Sequence, residues 1–321
     1  MPLLFSVYID GLIKELRASG LGCRLDRFFY GCLGYADDLL LLSASRSGLQ
    51  AMVHICEVFA AAKSLKFSTH ADPIKSKTKC IIFSKKKVTP VSPITLNGDP
   101  LPWVKEVKHL GNILQCDNTM KVDCVSKRGK FIGKVNSLLQ EFQFVEPHVF
   151  VKFLSIYASS FYGSNLWNLY SNEVDRIYKS WNVTIRNVFK LPWTTHRYFV
   201  EAVSNSPHPK TTLSSRFVKF VSSLASSAKT SVRYLADVVQ QDLRTQVGRT
   251  LRRISTECGV ELAALTPQAV KRSLRYFAVP DNQQWRISLL LELLDARNKK
   301  LIIENLTTEQ IDKIIEEVCI T

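Results

Sequence analysis

Two adjacent carboxylates, Asp37 and Asp38, are the residues of this sequence whose types and spacing best suit catalysis. They end the segment 35–38 (Tyr-Ala-Asp-Asp), and short apolar runs at 28–30 and 39–42 lie on either side of it. Apolar runs around a tight turn favour a buried β-hairpin. Mg²⁺ binds proteins through one or two carboxylates together with substrate phosphates, and paired ions stabilise the attacking and leaving oxygens of phosphoryl transfer. The segment therefore predicts a site for Mg²⁺ (or Mn²⁺) at a hairpin tip.

An ordinary acidic turn is the alternative interpretation of this segment. Asp is common in turns, and a bare Tyr-x-Asp-Asp pattern also arises by chance. A polymerase-like metal site needs partners from other parts of the chain. The segments before and after residues 35–38 therefore decide between the two interpretations.

Three further segments accompany the acidic pair. Residues 2–5 (Pro-Leu-Leu-Phe) precede it, and 75–83 (Lys-Ser-Lys-Thr-Lys-Cys-Ile-Ile-Phe) and 107–114 (Val-Lys-His-Leu-Gly-Asn-Ile-Leu) follow it. Together with 34–39 (Gly-Tyr-Ala-Asp-Asp-Leu), their order and spacing resemble the motifs of reverse transcriptases from non-LTR (LINE-type) retrotransposons. Four motifs in order are more specific than any one of them. The resemblance covers about residues 1–116, and the remainder fits that family only loosely.

This resemblance implies RNA-directed DNA polymerisation, in which Mg²⁺ (or Mn²⁺) assists attack of a primer 3′-hydroxyl on a dNTP. Asp37 and Asp38 would bind the metal. Lys77 would lie near the incoming triphosphate and act as general acid toward pyrophosphate, with Lys79 as the competing choice. The partners implied are an RNA template, a DNA primer or nicked target DNA, and dNTPs. Contacts to substrate or primer would come from Phe5, Tyr35, Ala36, Leu110 and Gly111.

The third catalytic carboxylate of that family precedes the motif that resembles residues 2–5. Asp10 and Asp26 are the nearest acidic residues to the hairpin, and neither matches the missing position. We therefore expect the chain by itself to have little or no polymerase activity. The alternative function is that of a non-catalytic, basic nucleic-acid-binding protein.

The charge balance favours a polyanionic partner. The chain has 43 Lys and Arg against 28 Asp and Glu, a net charge of +15. An excess of this size is typical of nucleic-acid binding, although a solvated basic surface would look the same. Aromatic residues between 157 and 198 alternate with basic ones, which predicts phosphate contacts from Lys179, Arg186, Lys190 and Arg197. For most of these aromatic residues a place in a helical core is the favoured alternative.

Composition excludes several other classes of protein. Hydrophobic residues make up 46% of the chain, and no apolar run approaches the roughly 18–20 residues of a membrane span. The eight cysteines form no Cys-x-x-Cys pair and have no zinc-finger spacing, which indicates reduced and mostly buried thiols. With no signal peptide recognisable, we expect an intracellular protein, cytoplasmic or nuclear, without membrane contact. Its oligomeric state is not predicted.

The strand and helix signals predict an α+β fold. Under the resemblance it consists of a partial polymerase palm over 1–116, an antiparallel sheet with packed helices, followed by an all-α thumb over 117–203 and an all-α C-terminal region over 204–321. In the palm we expect helices at 9–16 and 49–60, the second capped by Ser45 or Ser47, a strand at 80–83, a hairpin turning at Asn97-Gly98 and a last strand at 107–114. Beyond it we expect helices at 122–142, 148–169 and 173–189, a linker at 204–209, and a last helix capped by Thr307 and Gln310.

Overall fold

The computed structural model is a mixed α+β protein that divides into two compact units, residues 1–119 and 120–321. It describes residues 2–70, 72, 75–84, 91–195, 200, 201, 204 and 206–274, with side chains in the first helix from Val7 onward. The predicted α+β class is confirmed. The strands lie in the first unit and the described part of the second unit is helical.

Two helices organise the first unit. Helix α1 (Pro2–Ala18) is longer than expected, and α2 (Arg46–Ala62) begins where predicted because the Ser45 hydroxyl accepts a hydrogen bond from the Gly48 amide at 3.1 Å. Their apolar stripes meet in a core formed by Leu12, Leu16, Cys32, Met52, Cys56 and Phe59. The spacing of these residues at helical intervals explains why both helices bury one face.

The strands of the described first unit pair only in twos, all antiparallel. No single continuous sheet is formed there. The four hairpins are β1–β2 (Arg24–Leu25 and Phe28–Phe29), β3–β4 (Cys32–Tyr35 and Asp38–Leu41), β5–β6 (Ile94–Leu96 and Asp99–Leu101) and β7–β8 (Glu106–His109 and Asn112–Gln115). The predicted turn at Asn97-Gly98 is confirmed, and both residues have the positive φ of a type I′ turn (51° and 85°).

Two strand predictions are wrong. Residues 107–114 form a hairpin instead of one strand, because Leu110 and Gly111 both adopt positive φ and reverse the chain. Residues 80–83 make only one isolated parallel bridge, between Cys80 and Trp103. Cys80 closes a small second core with Val53, Ile94, Leu96 and Leu101.

The arms of the acidic hairpin also differ from expectation. Phe28 and Phe29 pair with β1, so the first arm is β3. A close approach of Gly22 and Gly31 explains this arrangement, since a Cβ on either would lie 2.9 Å from the other's Cα. Only residues without a side chain allow the β1–β2 hairpin to fold back at this point.

The second unit is built from helices around one extensive core. The helices are α3 (Lys121–Glu141), α4 (Pro147–Phe153), α5 (Asn172–Val188), α6 (Pro209–Ala225), α7 (Thr230–Gln241), α8 (Gln246–Cys258) and α9 (Pro267–Ser273). Short 3₁₀ turns cover Ser164–Leu166 and Leu262–Ala264. Residues from 124 to 270 share the core, with Trp167, Phe131 and Phe217 its largest fully buried side chains.

The predicted helices at 122–142 and 173–189 are confirmed, but the one at 148–169 is wrong beyond residue 158. Helix α4 passes into a π-helical turn, Leu154–Ala158, closed by a hydrogen bond from the Ser159 amide to the Leu154 carbonyl at 3.0 Å. Positive φ at Phe161 and Gly163 then ends the helical path. The Ser171 hydroxyl, rather than Asn172, caps α5.

The segment 204–209 does not have the exposure of a linker. Ser204 and His208 are buried, and His208 packs between the rings of Tyr178 and Trp181. Its Nδ1 accepts a hydrogen bond from the Lys210 amide at 3.1 Å at the start of α6. The predicted last helix at Thr307 and Gln310 lies outside the described residues.

No helix among the described residues is long and apolar enough to cross a membrane. The seven described cysteines are all free thiols, and five of them are buried. Burial raises the pKa of Cys32 to about 11 and that of Cys56 to about 12, so both are neutral packing residues of the first unit.

Candidate functional site

The acidic pair lies at the tip of the tight hairpin β3–β4. Tyr35 and Asp38 form the closing pair of the ladder, and Ala36 and Asp37 are the two turn residues. Ala36 has φ 49°, whereas Asp37 has no positive φ, which is the φ pattern of a type II′ turn. Glycine is the usual residue at the first turn position, so the alanine holds a conformation that costs about 1–2 kcal/mol.

The two faces of this hairpin have different surroundings. Cys32, Leu39 and Leu41 lie on the inner face and pack against the core of α1 and α2. Leu33 and Tyr35 lie on the outer face, where 47% and 65% of their surface is exposed. The prediction of a buried hairpin therefore holds for one face only, and Asp38 shares the open face with Tyr35.

Both carboxylates are exposed and have no ion-pair or hydrogen-bond partner among the described residues. Two oxygen ligands of this kind suit Mg²⁺ or Mn²⁺, which take carboxylates together with substrate oxygens. No group of three or more His, Cys, Asp or Glu side chains that could hold a metal occurs in the described part of the chain. Asp10 pairs with Lys14 at 2.7 Å and does not join Asp37 and Asp38 in such a group.

Lys77 lies in an exposed bend that is held by hydrogen bonds of its two neighbours, Ser76 and Thr78. The Ser76 hydroxyl, which is buried, donates to the Thr78 carbonyl at 2.7 Å, and the Thr78 hydroxyl donates to the Ser68 carbonyl at 2.8 Å. Lys77 is exposed and Lys79 is half-buried. No ion pair joins either ammonium to Asp37 or Asp38 in the described structure, so the arrangement does not by itself bring lysine and carboxylates together.

The remaining residues expected near primer or substrate belong to two other elements. Leu110 and Gly111 form the tip of β7–β8, with φ 46° and 78°, and Leu110 is 37% exposed. Phe5 lies in α1, but its side chain is outside the described part of the structure. These positions remain predictions for a primer contact.

The four basic residues expected to bind phosphate differ in availability. Lys179 is exposed and pairs with Asp175 at 2.8 Å. Arg186 donates from Nε and Nη2 to the buried Thr195 carbonyl oxygen at 3.1 and 2.5 Å, so it already closes a loop of its own unit. Lys190 is exposed and has φ 52° just after α5. Arg197 lies outside the described residues.

The aromatic residues of the second unit separate into two sets. Trp167, Tyr178 and Trp181 are buried in the core, whereas Tyr157, Tyr162 and Trp193 are exposed. Tyr198 is outside the described residues. A buried ring has no face left for stacking on a base, so only the second set can serve in binding.

A basic strip on α3 was missed by the sequence reasoning. Lys127, Lys130 and Lys134 recur at helical spacing on one face, a signal present in the sequence. The Lys127 ammonium lies 5.2 Å from the centre of the Tyr162 ring, and Lys134 Nζ donates to the Tyr157 carbonyl oxygen at 2.7 Å. Tyr157 in the π-helical turn and Tyr162 just after it are thus joined to two of the three lysines, and we call these five residues the α3 surface.

Comparisons with known proteins add no assignment. No known family model matches the chain, and no curated protein sequence matches it.

Proposed function

We propose that this chain supplies part of an RNA-directed DNA polymerase of the LINE-type retrotransposon class. The observation that carries the proposal is the exposed pair Asp37 and Asp38 at the tip of a two-residue hairpin, with Tyr35 opposite Asp38. The order of the four motifs along the chain supports it further. Among the described residues the carboxylates have no ion-pair partner, so their oxygens are open to a metal ion from solvent.

In this proposal Asp37 and Asp38 hold Mg²⁺ (or Mn²⁺) through their carboxylate oxygens. The ion, when bound, would lower the barrier to attack of the primer 3′-hydroxyl on the α-phosphate of a dNTP. Tyr35, on the same face of the hairpin as Asp38, would contact the primer end. Lys77 would meet the triphosphate, and Leu110 with Gly111 would support the primer.

The carboxylate count limits what this chain does alone. Because no group of three carboxylate, His or Cys ligands occurs in the described residues, two ions would share only Asp37 and Asp38. Two-metal sites need more ligands to fix both ions. We therefore expect weak metal binding that depends on dNTP, and little polymerisation by the chain as it stands.

Mn²⁺ binding followed by electron paramagnetic resonance tests the site. The unmodified chain should bind Mn²⁺ more tightly when dATP is present, and Asp37→Asn with Asp38→Asn should abolish this increase. Asp99→Asn is the matched control, since Asp99 is an exposed carboxylate next to the turn of another hairpin, β5–β6. Equal loss in the control and the double variant would argue against the proposal.

A second candidate function is sequence-independent nucleic-acid binding without catalysis. The α3 surface favours it, because exposed tyrosines beside lysines offer stacking and phosphate contacts to a single strand. In fluorescence anisotropy, Tyr157→Ala with Tyr162→Ala should weaken binding of single-stranded RNA. Trp193→Ala, which removes another exposed ring, is the control. Unchanged affinity of the double variant would exclude this surface.

A further inference from the structure

A groove on the second unit collects arginines from a single helix. It has a volume of about 720 Å³ and is lined by α8, by the loop residues Asn168 and Tyr170, and by Leu243. Arg249, Arg252 and Arg253 stand on the exposed face of α8, while Leu251, Ile254 and Cys258 on the opposite face enter the core. The cations thus project from a helix that is fixed by its packing.

Glu257, the carboxylate that lines the groove, already has two partners. Glu257 Oε2 accepts a hydrogen bond from the Tyr170 hydroxyl at 2.9 Å and pairs with Lys210 Nζ at 3.1 Å. Burial, followed by this hydrogen bond, raises the pKa of Tyr170, so the phenol stays a neutral donor. With Glu257 paired to Lys210, the three arginines dominate the charge of the groove.

Two of the arginines are held in place by their own contacts. The Arg253 guanidinium lies 4.0 Å from the centre of the Tyr170 ring. Arg249 Nη1 donates to the Arg244 carbonyl oxygen at 2.7 Å at the end of the groove. Arg252 has no side-chain partner among the described residues. Each guanidinium has five N–H donors, so these contacts leave donors for a ligand.

The start of α8 is also built closely against the preceding loop. The Thr245 hydroxyl accepts from the Gly248 amide at 3.0 Å and caps the helix. A Cβ at Gly248 would lie 2.5 Å from the Asp242 carbonyl oxygen, so only glycine permits this approach. The arginine-bearing face therefore stands on a rigid helix start rather than on a loose loop.

We propose that this groove binds the phosphate backbone of a nucleic-acid strand through Arg249, Arg252 and Arg253. Guanidinium forks match phosphate oxygens in bidentate geometry, which favours phosphate over other anions. Arg252 and Arg253 lie three and four residues after Arg249, each about 5–6 Å from it at Cβ, so the set can contact neighbouring phosphates along a strand. Arg253 covers a face of the Tyr170 ring, so that face is not open for base stacking. The proposal does not depend on Asp37 or Asp38.

Fluorescence anisotropy of the full chain with labelled oligonucleotides tests the groove. The triple variant Arg249→Gln, Arg252→Gln, Arg253→Gln should bind at least tenfold more weakly. The slope of log K against log salt concentration should become less steep by about 2, because each neutralised phosphate of a single strand contributes about 0.7 to it. Single-stranded RNA and duplex DNA are separate arms, and arginine-dependent binding of either supports the proposal.

The matched control removes the same charge elsewhere with Lys219→Gln, Lys229→Gln and Lys271→Gln, all exposed and none lining the groove. If both triple variants weaken oligonucleotide binding equally, the net charge of the chain and not the groove is responsible, and the proposal is overturned. Binding of anionic vesicles without binding of oligonucleotides would overturn it as well. If the arginine triple variant does not fold, Arg252→Glu against Lys219→Glu gives the same comparison without removing a described contact. These binding measurements need neither Mg²⁺ nor dNTP, which separates the groove from the proposed polymerase site.

Discussion

Tyr35 and Asp38 face each other as the last pair of the β3–β4 ladder, and both side chains are exposed on the same face. Residues directly opposite in an antiparallel pair have Cβ atoms about 4.5–5.5 Å apart. A ligand that reaches Asp38 from this face therefore also meets the tyrosine ring. Asp37 is one of the two turn residues, so the chain reversal brings Tyr35, Asp37 and Asp38 together at one hairpin tip.

Ala36→Gly should stabilise this tip. The alanine has φ 49°, which costs about 1–2 kcal/mol for a residue with Cβ, whereas glycine adds about 0.4–1 kcal/mol of unfolded-state entropy. We expect the free energy of unfolding to rise by up to about 1 kcal/mol in urea denaturation. Ala61→Gly, on the exposed side of α2, should lower it by about 1 kcal/mol. Destabilisation by both changes would contradict the assigned turn.

Leu110→Asn should stabilise the β7–β8 hairpin. Leu110 has φ 46° at the first position of a type I′ turn, where asparagine is preferred. The gain in unfolding free energy should be about 0.5–1 kcal/mol, with Val107→Asn, inside the strand β7, as the destabilising control. A loss of stability in Leu110→Asn would show that the leucine side chain has a packing role.

Asp123→Ala should destabilise the second unit strongly. Trp167 Nε1 donates to Asp123 Oδ2 at 2.8 Å, and both residues are fully buried. Removing the acceptor leaves a buried N–H without its partner, at a cost of about 1–3 kcal/mol. Asp123→Asn, which retains an acceptor oxygen, should lose less. Asp237→Ala on the exposed side of α7 should stay within about 0.5 kcal/mol in the same tryptophan-fluorescence unfolding experiment.

Stability should fall as pH rises above 9. Burial raises the pKa of Cys32 to about 11 and of Cys56 to about 12, above the ordinary value of 9.0. Below pH 9 the two thiols stay protonated in both the folded and the unfolded chain. Between pH 9 and 11 only the unfolded chain releases these protons, and this release favours unfolding. The slope is at most about 1.4 kcal/mol per pH unit for each thiol. Cys56→Ala should flatten this dependence, and Cys23→Ala, a half-buried control, should change it less.

The sequence predicted correctly those elements whose ends are determined by residues close by in the chain. Ser45 before α2 and the Asn97-Gly98 turn determine their elements through contacts a few residues away. The β7–β8 hairpin escaped prediction because leucine is unusual at the first position of a type I′ turn, although Gly111 suits the second. The helix expected to reach residue 169 ends early because Phe161 and Gly163 adopt positive φ, which apolar periodicity does not reveal.

The same distinction applies to the sites. The hairpin tip with Asp37 and Asp38 was predictable because a two-residue turn is a local structure. Trp167 and Tyr162 were not separable by sequence, since their burial depends on helices distant along the chain. The arginine groove depends on Tyr170 and Lys210 meeting Glu257, which only the tertiary fold brings about.

Primer extension on an RNA template with Mg²⁺ and dNTPs tests the central claim most directly. We would compare the chain, a longer product of the same reading frame that adds residues before Met1, and Asp37→Ala in that longer product. The account predicts extension by the longer product alone and its loss, by at least a hundredfold, in Asp37→Ala. Extension that survives Asp37→Ala, or its absence from the longer product while primer-template still binds, would contradict the catalytic role of the hairpin.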